Sequence, residues 1–441
     1  MAASMTSHDR LNLSRSPAPS SLGMIVKDTL PNGLTLVTEA MPHVRSVAIG
    51  VWLKRGSRHE PEAQSGISHF IEHMVFKGTK SRSAERIASE VDSIGGHMDA
   101  FTAKEYASFH LKVLDRHLPL AVDILSDIVL HPLFDTDEMA KEKKVIFEEI
   151  NMVEDTPDDL VMEQFTEAFW PAHPLGRPIL GTKRTVGGFR RADLAKFFRK
   201  VYHPGNIVIA AAGHLDHRKT LQLVKDRFGS LTRGVNTRNG PPPTPKARIV
   251  ARSKKELEQV HLALGRPAYQ QGHSSRYAAY ILNTILGGSM SSRLFQNVRE
   301  KRGLVYSISS GVTAYSDAGC LTIYAGTSVE SVDEVIRLTV DELRRFRYER
   351  VPEDELQRAK DHLKGSLMLS LEHTGSRMNH LARQVIYFGR LFSLDEVMAG
   401  IDSVDAAHVQ RVANEVFDGP LTMSLIGNLK GYRSKPSALK I

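Results

Sequence analysis

Five consecutive residues carry the densest chemistry in this 441-residue chain: His69-Phe70-Ile71-Glu72-His73. Residues four apart share a face of a helix, so His69 and His73 present two imidazoles to one side. Imidazoles at that spacing can bind one zinc ion, and neutral nitrogen ligands leave the ion Lewis acidic. Glu72 lies between them in angle. It can reach water on such an ion without binding it, which suits a proton acceptor. The order H-x-x-E-H is the reverse of the H-E-x-x-H zinc pattern. Phe70, Ile71, Met74, Val75 and Phe76 mark the helix as largely buried, where two imidazoles without a partner would be costly.

A catalytic zinc site takes three protein ligands and leaves one position open. The single cysteine, Cys320, excludes a Cys-based cage and an intrachain disulfide. The third ligand must therefore be His, Asp or Glu. A long helix expected over 136–153, with the residue after it, offers Glu138, Glu142, Glu148, Glu149 and Glu154. Glu142 and Glu149 are two turns apart and share a face, whereas Glu148 points away. One of the pair can bind a metal while the other supports it; spacing does not choose between them.

These residues need elements to position them. Hydrophobic patterning predicts strands over 34–39 and 47–53, with Pro31-Asn32-Gly33 as a hairpin turn. Helices are predicted over 66–76, capped by Ser65, and over 84–94, followed by paired strands over 97–102 and 108–113. A helix over 118–129 precedes the long one, which Asp135 or Thr136 caps. Gly and Pro cluster over 229–247, as in a domain connection. The pattern then repeats: a strand from 260, a helix over 275–286, a strand over 321–325 and a long helix opened by Pro352. Gly213-His214-Leu215 and Gly427-Asn428-Leu429 close the two halves alike. A single core stops growing near ~250–300 residues, so duplication suits this length. The division expected is a disordered tail over 1–23, a metal-binding half over 24–228, a linker over 229–247 and a metal-free half over 248–441.

Composition narrows the function. Hydrophobic residues make up 41% and charged residues 24%, which excludes collagen-like and wholly disordered chains. No apolar run approaches the ~18 residues of a membrane span, so no membrane partner is expected. The net charge of +8 is spread along helices among acids, with no basic block interleaved with aromatics, so no nucleic acid is expected either. Residues 1–23 are Ser-rich and lack both the apolar core of a secretory signal and an amphipathic stripe. A bacterial cytoplasmic location is expected, with the mitochondrial matrix as the alternative.

The motif and its surroundings resemble the pitrilysin family of zinc metallopeptidases, especially short members similar to the catalytic subunit of mitochondrial processing peptidase. The resemblance runs from about Ile25 to Leu429. It implies an α+β fold of two homologous α/β-sandwich halves facing each other across a chamber. One Zn2+ per chain is implied, held by His69, His73 and Glu149, with Glu142 in support and Glu72 as general base. In the second half, Arg299 and Tyr306, on either side of Gly303-Leu304, match an Arg and a Tyr that hold the substrate carbonyl. Asp99 and Ala100 match an edge strand on which substrate adds as a further strand, although many relatives carry Asn at the first position. Phe76 matches the lining of the pocket for the side chain after the cut. Asp159 and Glu163 match acids that receive an arginine shortly before it. The stretch 287–294 is short and only moderately Gly-rich, unlike the long loop of the inactive partner subunit. The resemblance implies a zinc endopeptidase acting on peptides or unfolded polypeptide, as a homodimer or a heterodimer. The alternative is a non-catalytic or partner-dependent subunit of a processing-peptidase-like heterodimer.

Overall fold

The computed structural model describes residues 24–234, 240–433 and 435–441. The tail expected over 1–23 lies outside the described residues. The first half runs β1 (Ile25–Thr29), β2 (Thr35–Ala40), β3 (Ser46–Leu53), α1 (Ile67–Val75), α2 (Ala84–Ser93), β4 (His97–Thr102) and β5 (Ala107–Leu114). It continues with α3 (Leu118–Leu130), α4 (Thr136–Asp155), α5 (Pro157–Phe169), α6 (Lys183–Gly188), α7 (Arg191–Val201), β6 (Ile207–Gly213) and α8 (His217–Phe228). The second half runs β7 (Ile249–Ser253), β8 (Val260–Ala268), α9 (Arg276–Leu286), β9 (Val305–Ala314), β10 (Gly319–Thr327), α10 (Val332–Tyr348) and α11 (Glu353–Ser370). It closes with α12 (Thr374–Phe388), α13 (Leu394–Asp402), α14 (Ala406–Val416) and β11 (Thr422–Gly427).

The two sheets have one topology. The first is ordered β1-β2-β6-β3-β5-β4 and the second β7-β11-β8-β10-β9. In each, one parallel pair, β2 with β6 or β7 with β11, adjoins a run of antiparallel neighbours. Strand β1 is the one addition to the first, paired to β2 across the Pro31-Asn32-Gly33 turn. This is the duplicated α+β architecture the pattern predicts.

Strand alternation sends side chains to opposite faces, and both faces are buried. Val47, Ile49 and Val51 of β3 face the helices of their own half, among them Phe70 of α1 and Ile124 of α3. Ala48 and Trp52 face the other way, against Met378, Leu381 and Ala382 of α12 from the second half. The exchange is mutual. Leu160, Phe165 and Phe169 of α5 pack on Ala263, Cys320 and Ile426 of the second sheet. Gly265 permits that approach: a Cβ there would lie 2.4 Å from the Phe165 ring and 2.8 Å from the Leu321 carbonyl oxygen. Each half thus roofs the other's sheet with one helix, and β4 and β9 are left as the open edges nearest the metal helix and its counterpart.

Candidate metal centre

Helix α1 begins differently from expectation. Ser65 does not cap it: Gly66 is the N-cap residue and makes no side-chain cap. The buried Glu60 carboxylate caps instead, accepting from the Gly66 and Ser68 N–H groups at 2.8 Å each. Gly66 sits at φ +95°, and a Cβ there would lie 2.5 Å from the Leu180 carbonyl oxygen. Only glycine lets this turn seat against the 180–181 loop. Burial pushes the Glu60 carboxyl up to about 7.

The helix presents His69 and His73 together, with ring centroids 4.6 Å apart. Helix α4 lies against α1 and brings Glu149 to both: Glu149 Oε1 is 3.5 Å from His73 Nε2, and Oε2 is 3.7 Å from His69 Nε2. Two turns earlier, Glu142 is buried and accepts from His73 Nδ1 at 3.0 Å, while Lys77 Nζ holds its other oxygen at 2.7 Å. That bond directs the His73 Nε2 lone pair toward Glu149. Glu148 is turned away and takes a hydrogen bond from Asn151 at 3.2 Å.

These three residues fit a zinc ion. Among the described residues, one group of three offers ligand atoms close enough for one metal, all within 4.8 Å: His69, His73 and Glu149. Glu149 Oε2 is shut from solvent with no hydrogen-bond partner, and its spacing from His69 exceeds a hydrogen bond. Ligands about 2.1 Å from a tetrahedral zinc stand about 3.4 Å from one another, close to the separations seen. Burial, with His73 beside it, holds the His69 imidazole down to about 3, so it is neutral and able to coordinate.

Glu72 is adjacent but not part of that group. Its Oε2 accepts from Thr102 Oγ1, at the end of edge strand β4, at 2.5 Å. Burial pushes the Glu72 carboxyl up to about 7, against the lowering effect of that hydroxyl. Two cavities meet at Glu72. One, of about 360 Å3, is lined by Phe76, Ile87, Met98 and Ala100 together with His73, Lys77, Asp99 and Glu142. The other, of about 580 Å3, holds His69, Glu149, Asp159, Glu163 and Lys104. Sequence reasoning missed Lys104, whose amine burial pushes down to about 8 and whose charge faces Glu163. Burial raises the Glu163 carboxyl, and Lys104 opposes that rise. On β4, Asp99 Oδ1 accepts from the Ala100 N–H at 2.8 Å.

The structure therefore gathers His69, Glu72, His73, Glu142, Glu149, Phe76, Asp99, Ala100, Asp159 and Glu163 around one centre. Arg299 and Tyr306 line neither cavity of their own chain. Arg299 lies over the Phe295 ring at 4.6 Å, and Tyr306 is 78% exposed on β9. Tyr315, at the turn after β9, reaches the larger cavity instead.

A buried H-x-x-E-H helix, a glutamate on the neighbouring helix and a duplicated α+β frame define a metallopeptidase of the inverted-motif class. Residues 35–183 match the insulinase family, peptidase family M16, and residues 188–363 match its inactive domain. An uncharacterized zinc protease of Bacillus subtilis, YmxG, is 42% identical, covering 91% of this chain and 98% of its own. One from Streptomyces coelicolor is 40% identical, covering 93% and 91%. The fold also matches a protease from Helicobacter pylori, with TM-score 0.85 at 23% identity, covering 92% of this chain and all of the other. The chain belongs to peptidase family M16, the pitrilysin-type family its motifs resemble, and is a zinc metallopeptidase. No helix among the described residues is long and apolar enough to cross a membrane.

Proposed function

We propose that the protein is an endopeptidase for extended peptides or unfolded segments, with the scissile bond held at Glu72 between the two cavities. The observation that carries this reading is that Glu72 lines both, beside the His69–His73–Glu149 group and the end of an open edge strand. Bound there, zinc supplies Lewis acidity to a carbonyl and to water. Substrate adds alongside β4, where an extended chain can use main-chain groups that no neighbouring strand occupies. The Asp99 carboxylate must release the Ala100 N–H as this happens. Glu72 takes the proton from the attacking water and passes it to the leaving amine. Thr102 Oγ1 holds the carboxylate in place.

The cavity by Phe76 receives the side chain after the cut. Asp159 and Glu163 receive a cationic side chain before it, and Arg is preferred there because its fork can meet two carboxylates. Tyr306, exposed in its own chain, and the half-buried Arg299 serve as oxyanion donors to the site of a second copy across a dimer chamber. The test is cleavage of a proteome-derived peptide library by the zinc-loaded single chain, with cut sites read by mass spectrometry. Arg should be enriched before the cut, and Asp159→Asn with Glu163→Gln should erase the enrichment. No hydrolysis, or a profile the double variant does not change, would overturn the corresponding part of this reading.

A further inference from the structure

Among the described residues, Tyr315 is the sole second-half residue in the wall of the larger cavity at Glu72. It stands on the turn between β9 and β10, with its N–H bonded to the Ala318 carbonyl at 2.7 Å. Its ring meets Trp170 of the first half edge-on, with centroids 5.5 Å apart. The same turn is clamped to the first half by a buried polar cluster. Arg58 donates to Glu105 at 2.9 Å and, through both terminal nitrogens, to Asp317 at 2.6 and 2.5 Å. Glu105 also accepts from the Ser316 N–H and hydroxyl at 2.9 and 2.5 Å. The Arg58 and Glu105 side chains are 3% and 5% exposed. Asp317 is 22% exposed, so the two-pronged pair is buried on its Arg58 side, where a shift of the turn would leave the guanidinium short of a partner.

The turn also borders a further cavity. A third cavity, of about 650 Å3, lies between the halves and includes Tyr280 and Tyr387 in its wall. It shares Thr102, Lys104, Ile179 and Tyr315 with the cavity at Glu72. The two are successive parts of one path. Thr102, the last residue of β4, and Tyr315 stand in the walls of both.

We propose that Tyr315 is a substrate-contacting residue, packing its ring on the peptide residues that precede the cut, and that Arg58, Glu105 and Asp317 position it. This rests on the endopeptidase reading above. Tyrosine suits the task because it offers a large, rigid, amphipathic surface with few rotamers to freeze. The second half then serves its own chain's site through this turn, whatever Arg299 and Tyr306 do elsewhere.

The test measures binding rather than turnover. The probe is a fluorescein-labelled peptide that the wild-type enzyme cuts, with versions truncated on one side or the other of the cut. Anisotropy titrations use the zinc-loaded Glu72→Gln protein. Adding Tyr315→Ala should weaken binding of the full peptide about 10-fold, as for a buried aromatic anchor. It should leave zinc content unchanged and have no effect on the peptide lacking the residues before the cut. Asp317→Asn should weaken the full peptide alone and add nothing once Tyr315→Ala is present. That non-additivity separates positioning from general damage to the fold. Equal weakening of all three peptides, or none, would overturn the proposal. A loss that follows the residues after the cut would keep the contact but reverse its side. If no peptide is cut by the wild type, the endopeptidase reading fails on its own.

Discussion

Replacing Glu142 by Gln isolates what a residue that does not touch the metal contributes to the centre. Its two oxygens do different work: one fixes His73 Nδ1 at 3.0 Å, the other holds Lys77 Nζ at 2.7 Å. A glutamine has one acceptor. If it faces His73, its amide nitrogen faces the Lys77 ammonium; if it faces Lys77, two donors meet at His73. Either way His73 loses its charge-assisted bond: the first arrangement leaves a weaker neutral one and the second leaves none. Lys77 is about one-third exposed, so water replaces its lost contact at small cost. The His73 contact carries the effect. Loss of such a partner typically weakens metal affinity about 10–100-fold, which is about 1.4–2.7 kcal/mol. The assay is dialysis against graded zinc–chelator buffers, with bound metal measured by atomic absorption. Glu149→Gln should lose zinc throughout the range, Glu148→Gln should match the wild type, and Glu142→Gln should fall between. Wild-type affinity for Glu142→Gln would show that the ring needs no charged partner. A loss equal to that of Glu149→Gln would move the ligand assignment.

Glu72→Gln should keep its zinc and lose about 10²–10⁴-fold in turnover, the usual worth of a general base; metal loss or near-normal turnover would contradict that role. If Arg299 and Tyr306 act on a second copy, mixing Glu72→Gln chains with Arg299→Ala/Tyr306→Phe chains under exchange should restore activity, since mixed dimers hold one complete site. An inactive mixture that native mass spectrometry shows to be heterodimeric would place those residues with their own chain's site. Glu60 gives a pH prediction. Its folded-state pKa, about 7, lies above the unfolded value of 4.5, so the folded chain holds that proton more tightly. The resulting stability is full below about pH 4.5 and is lost as pH rises through about 7, at most about 3 kcal/mol. Urea unfolding of wild type and Glu60→Gln should therefore show a stability difference that moves against the wild type between pH 5 and 8; parallel curves would refute it.

Short-range geometry made much of this protein legible in its sequence. The i, i+4 histidines, the two-turn spacing of Glu142 and Glu149 and the alternation within strands such as β3 follow from helix and strand periods alone. The repeat of elements announced two sheets of one topology. The choice of Glu149 over Glu142 came from resemblance, and the packing of α4 on α1 then set Glu149 facing both Nε2 atoms and Glu142 behind one of them. Other features depend on contacts between residues far apart in the chain, which no local pattern encodes. The α1 cap comes from Glu60 because Gly66, at positive φ against Leu180, turns the chain away from a Ser65 cap. The apolar faces of α5 and α12 are evident as helical stripes, but nothing local says that each covers the other half's sheet. That exchange is why a fragment ending near residue 245 would leave Trp52 and its neighbours without α12. Lys104 facing Glu163, and Tyr315 set beside Glu72's cavity by Arg58, are likewise products of folding. Charge and reach are written in residue types, but which charges share a cavity is decided by how the first half folds, and Tyr315 joins them only when the second half closes on it.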